Sequence, residues 1–155
     1  MGIKEALFQG VANLIIERPA QNKTFDQLIA ALEQSGSEIE QRAVAAKDPA
    51  KAQNVMRHIT GIERWSQNRL RMFLGVPYQR DEYDTYQPGA GLDLAGQIAA
   101  FHETREETIE LARRMEQAHV PPSATVQHND FGPLTARGWL SYITSHAGRE
   151  STKMK

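Results

Sequence analysis

The stretch that most limits how this chain can fold begins at Asp48-Pro49, a helix cap followed by proline at the first helical position. It continues as an uninterrupted helical pattern until Gly75 closes it. About 26 residues at about 1.5 Å each make a rod of about 39 Å. The neighbouring segments read in the same period. Thr24 is a helix cap with Gln27 three residues later, and Leu28, Ile29, Leu32, Ile39 and Ala43 follow at near-helical spacing, which predicts a helix from about Phe25 to Ala46. Another follows Asp93, with Leu94, Ile98, Phe101, Ile109, Ala112 and Met115 inward and Glu103, Glu106, Glu107 and Glu110 outward, until Pro121-Pro122 ends it. A last helix is expected from about Leu134 to the C-terminus.

The segment VPYQRDEYDTYQPGAGL, from Val76 to Leu92, holds two prolines, two glycines and three tyrosines and sustains no helical period. Seventeen extended residues span up to about 56 Å, enough to return along the whole preceding helix, so the helices it joins can run parallel. A second connection, SATVQHNDFGPL, precedes the last helix. No run reads as a strand. The expectation is an all-α fold, a four-helix bundle with a long crossover connection between helices 2 and 3, plus a short N-terminal helix. That short helix carries an apolar stripe of Ile3, Leu7, Gly10/Val11 and Leu14, and Pro19 is expected to stop it. The stripe is expected to pack on its own bundle, with a dimer contact as the alternative.

A length of 155 residues is enough for one core and short for two ordinary domains, so residues 1–155 read as one domain. Hydrophobic residues make up 40% and charged residues 24%, an ordinary globular profile. The net charge is -1 and no run of Lys or Arg occurs, so the footprint of phosphate-backbone binding is missing and nucleic acid is not an expected partner. The apolar stretch from Ala6 to Ile16 is interrupted by Gln9 and Asn13, so neither a signal peptide nor a membrane span is expected. Cysteine is absent, which leaves any metal to imidazole and carboxylate and fits a cytoplasmic location.

His58 sits midway along the second helix with Val55, Ile62 and Trp65 at helical spacing, so its ring lies on the buried face. An isolated histidine there is more simply explained by a core hydrogen bond. His146 shares an apolar stripe with Trp139 and Ile143, and Glu150 follows one turn later, where imidazole and carboxylate can chelate one ion or make a plain helix-surface contact. Other residues are read more blandly. Tyr142 is expected to pack rather than orient a substrate, and His102 to flank the core. His128, Asn129 and Asp130 could reach a metal or a water, but turn formation and capping explain the Asn and Asp more cheaply. Asp81-Glu82-Tyr83-Asp84 is expected to be a solvated loop rather than a lid. Gly89 to Gly91 is no nucleotide loop, because no strand precedes it.

The stretches NVMRHITGIERWSQNRLRMFLG and FGPLTARGWLSYITSHAGRE resemble the second and last helices of the DinB family of four-helix metalloproteins, a resemblance that covers roughly Asp48 to Glu150. In that family one His from helix 2 and a His-x-x-x-His pair from helix 4 hold the metal. His58 and His146 match the first two positions, and Glu150 stands where the third histidine would be. The resemblance thus implies a metal site of His58, His146 and Glu150 for a divalent Zn, Ni, Mn or Fe ion. It also implies a metal-dependent enzyme with a small-molecule substrate, similar to the bacillithiol, mycothiol or glutathione S-transferases and using a low-molecular-weight thiol. Metal-assisted hydrolysis is the alternative chemistry, and a non-catalytic stress-related binding protein the alternative of another class. A homodimer through helical surface is expected.

Overall fold

The computed structural model describes residues 2–155, and helices dominate it. The chain orders as α1 (Ile3–Ala12), a π-helical segment (Asn13–Glu17), α2 (Arg18–Gln21), α3 (Phe25–Val44), α4 (Pro49–Phe73), α5 (Leu94–Gln117), β1 (Thr125–His128), β2 (Gly132–Thr135) and α6 (Ala136–Ser151). Local chemistry sets the helix starts. The Thr24 hydroxyl accepts from Gln27 N while the Gln27 side chain accepts from Thr24 N, a reciprocal cap that opens α3. Side chains of Asp48, Asp93 and Thr135 likewise accept from the third residue onward at the starts of α4, α5 and α6. At its end α4 gives way to Gly75, whose φ of +107° suits a residue without Cβ.

α4 packs against α5 and α6, and α3 against the same two helices, with little direct contact between α3 and α4. Hydrogen bonds run from Arg64 to Thr104, from Gln67 to Thr104 and Thr108, and from Arg71 to Glu107. Partners rise together along both helices, so α4 and α5 are parallel. The connection between them returns down α4. Asp81 lies at Trp65 and Arg69, the Tyr86 carbonyl at Arg64, and the Pro88 carbonyl at Arg57. Gly61 admits this strap closely, since a Cβ there would lie 2.6 Å from the Gln87 side chain.

The core divides in two. One part centres on Leu32, Trp65, Leu111, Trp139 and Leu140, the other on Ile39, Met56, Ile59, Phe101 and Ala147. Between helices the buried Glu63 carboxylate takes both Nε and Nη2 of Arg105, at 2.7 and 2.9 Å, and the Thr108 hydroxyl at 2.8 Å. Arg105 also donates to the Leu32 carbonyl at 2.8 Å, so one ion pair ties α3, α4 and α5 together. Among the described residues no helix is long and apolar enough to cross a membrane.

Three expectations need correction. Pro19 does not stop the N-terminal helix, which continues to Gln21. The π-helical segment just before it widens the turn, and this accommodates a ring that would meet the carbonyl four residues earlier in a regular α-helix. The expected buried stripe faces out, with Ile3 91%, Leu7 66% and Leu14 58% exposed, while Ala12, Ile16 and Ala20 turn inward. The first half of this helical rod touches β2 and the turn before it, through Phe8 on Phe131 and Gln9 on Gly132, and the second half docks on the bundle. It is held by Glu17, whose carboxylate accepts from Thr135 N at 2.7 Å and Thr135 Oγ1 at 2.9 Å. Gly138 makes that approach possible, because a Cβ there would lie 2.0 Å from Glu17 Oε1. Finally, the second connection contains the antiparallel hairpin β1–β2, so the fold is not purely helical and α6 begins at Ala136 rather than Leu134. Two four-residue strands are too short to show a period, and packing supports them. Trp139 Nε1 donates to the Val126 carbonyl at 3.0 Å.

Candidate metal centre

His58 comes from the middle of α4, and His146 and Glu150 come from consecutive turns of α6. Helical spacing stacks the latter two on one face, and the packing of α4 on α6 brings His58 to them. One donor atom from each of the three lies within 4.8 Å of the others, and the two imidazole centroids are 5.5 Å apart. Donors about 2.0–2.2 Å from a tetrahedral ion stand about 3.4 Å from one another. The group is thus slightly wider than a loaded site, and side-chain torsions are the cheapest way to draw it in.

The protonation states suit ligation. Burial, and then the nearby His58, lower the pKa of His146 to about 4, which keeps its ring neutral near pH 7. Burial acts to raise Glu150, but the hydrogen bond and charge of Lys153 and the two histidines outweigh it and hold the carboxyl below its usual range. A neutral imidazole and an anionic carboxylate are the forms a divalent metal takes. Among the described residues the side-chain hydrogen bonds of histidine belong to His102 and His128. The core hydrogen bond that would explain His58 or His146 blandly is therefore not present. Aromatic neighbours flank these rings instead, Tyr83 edge-on to His58 at 5.6 Å and Tyr142 tilted against His146 at 5.8 Å.

The remaining candidates fall elsewhere. His128 Nδ1 accepts from the amides of Asp130 and Phe131 at 3.0 and 3.2 Å, closing the hairpin turn. Its ring lies among Trp65, Phe131, Trp139 and Tyr142, and burial above all lowers its pKa to about 3. Asn129 bonds Arg69 and the Asp81 carbonyl, and none of residues 128 to 130 joins the His/Glu group. Tyr142 is buried in the aromatic cluster, as its spacing suggested, and His102 is an exposed flank residue paired with Glu40 and Glu106. A groove of about 460 Å³ between α3 and α5 carries these charges and lies away from the site.

The Asp81–Asp84 run is not a loose solvated loop. The fully buried Arg69 pairs with Asp81, which also accepts from the Tyr86 hydroxyl, and Trp65 Nε1 donates to the Asp81 carbonyl at 3.1 Å. Burial tends to raise the Asp81 carboxyl, yet the bonds from Tyr86 and Arg69 hold it below its usual value. This anchor places Tyr83 over His58. Sequence reasoning passed over Arg69 and Tyr86, whose only signal is a pair of polar residues, one late in α4 and one within the long connection that follows it.

Comparison with known proteins gives no match to this chain from any family model, curated protein or solved structure.

Proposed function

We propose that the chain is a DinB-like four-helix metalloprotein, with α3 to α6 as the bundle and His58, His146 and Glu150 as ligands for one divalent transition metal. One observation carries this reading. Two imidazoles that make no hydrogen bond among the described residues lie side by side next to an ionised carboxylate, all three within reach of one ion. Three protein donors would leave positions for a further ligand, as at a catalytic rather than a structural site. A metal there supplies Lewis acidity that favours the deprotonated form of a thiol or water.

The reaction we favour is transfer of a low-molecular-weight thiol to a small electrophile, in which a C–S bond forms as the bond to the leaving group breaks. The chain has no cysteine, so the sulfur must come from a cofactor. Around that chemistry the chain's own residues orient and enclose. Tyr83 and Tyr142 fix the imidazole rings, and the Arg69–Asp81 anchor holds the strap that brings Tyr83 into place.

Metal analysis of protein purified without tag or chelator tests the reading. Near-stoichiometric zinc, nickel, manganese or iron is expected, and metal-free protein that takes up none of them would defeat it. Dependence of activity on an added thiol then separates transfer from hydrolysis, and a metal-free bundle would point to a non-catalytic binding protein. A cytoplasmic homodimer remains part of the proposal. The exposed face of Ile3, Leu7 and Leu14 supports a second copy as its occupant, since spacings of four and seven residues form a seam that can pair with itself about a two-fold axis.

A further inference from the structure

A cavity of about 130 Å³ lies where the N-terminal helical rod crosses α6, and His146 is part of its wall. Its apolar sides come from Val11, Ile15 and Ile16 on one helix and from Phe131 and Tyr142 on the other side. The π-helical segment supplies Ile15 and Ile16, and such segments recur at functional sites because they turn side chains out of the regular helical register. Arg149 and Ser145 complete the lining, and both are exposed at the rim. Lys153 already pairs with one oxygen of Glu150, whereas the guanidinium of Arg149 makes no ion pair among the described residues.

Size, lining and charge together describe a ligand. An apolar cavity of about 150 Å³ is enough to admit benzene, so this one takes a body of roughly one six-membered ring. A planar guanidinium at the mouth matches a carboxylate in its fork geometry. One free cation suits a single negative charge better than a phosphate dianion. We propose that this cavity binds a small ring-bearing carboxylate, with the ring against Val11, Ile15 and Phe131 and the carboxylate on Arg149, beside His146. As a substrate class this rests on the metal reading, because only a metal at His146 makes the position reactive.

Benzoate and its neutral isostere benzamide are the probes, titrated into zinc-treated and metal-free protein with labelled Val and Ile methyl groups. Benzoate is expected to shift the methyls of Val11, Ile15 and Ile16 with a Kd of about millimolar, as suits so small a ligand. It should bind at least about tenfold tighter than benzamide in both forms. Arg149→Gln should bring the two ligands to equal affinity, and Ser145→Phe, which fills the cavity from its exposed rim, should remove both. Equal binding of the two probes to the natural protein would overturn the proposal. So would a benzoate preference that survives Arg149→Gln, or shifts confined to other methyls. Zinc content measured on the same samples separates the two readings. Zinc uptake without benzoate binding defeats the cavity alone, and benzoate binding by protein that takes up none of zinc, nickel, manganese or iron defeats the metal reading alone.

Discussion

The Nζ of Lys153 donates to Oε2 of Glu150 at 2.6 Å, so the carboxylate that completes the candidate metal group already has a cation on one oxygen. The other oxygen is left for a metal. Glu150→Gln is expected to lose most of the bound metal, because a neutral amide is a poor substitute for an anionic oxygen, whereas Glu150→His should retain it. Lys153→Met should tighten binding by no more than about fivefold, in keeping with about 0.2–1 kcal/mol for an exposed ion pair. Competition with a chromophoric chelator measures all three. Equal metal content in natural protein and Glu150→Gln would remove the carboxylate from the site.

Acid should weaken the fold through His128. Its ring is held neutral down to about pH 3 by burial, while in the unfolded chain it takes a proton near pH 6.5. The native state thus binds fewer protons over this interval. The stability from His128 is complete above about pH 6.5 and is lost as pH falls toward 3, at up to about 1.4 kcal/mol per pH unit. His128→Asn keeps an acceptor for the turn amides but does not titrate. In chelator-treated protein, urea midpoints between pH 4.5 and 7 should fall less steeply for this variant, and identical slopes would contradict the assignment.

The buried pair of Glu63 and Arg105 should be costly to break from either side. Glu63→Gln or Arg105→Met leaves a buried charge uncompensated, with an expected loss of about 3–5 kcal/mol in urea unfolding. Replacing both with apolar residues of similar volume should cost less than either single change. A single-variant loss below about 1 kcal/mol would mean that solvent or another group reaches the orphaned partner.

Self-association is expected to depend on the outward face of the N-terminal helix. Leu7→Glu and Leu14→Glu place charge on exposed apolar positions without touching Ala12, Ile16 or Ala20, which dock the helix. Light scattering should show a dimer for the natural chain and a monomer for the double variant, with helix content unchanged. A natural chain that is monomeric at every concentration would reject the interface.

The helices and the three candidate ligands were legible because their signals are short-range. Caps at Thr24, Asp48 and Asp93 act within three residues, and a 3.6-residue period assigns His58 and His146 to core-facing stripes and stacks Glu150 on His146. What misled was also local. Pro19 carries a stop signal that the π-helical turn overrides, and Thr125–His128 and Gly132–Thr135 are too short to alternate visibly.

By itself, then, the sequence determined where helices start, which stripes are apolar, and which side chains could meet if α4 lay against α6. Only the tertiary structure decided which apolar stripe of the N-terminal helix is buried. That choice rests on Glu17 meeting Thr135, 118 residues away, through the gap left by Gly138. It likewise decided that Arg69 pins Asp81 and that Arg105 reaches Glu63 42 residues away. A period or a cap is written in neighbouring residues, because the backbone repeats every few ångströms. A contact between distant segments depends on how whole helices pack, which no single stretch of the chain specifies.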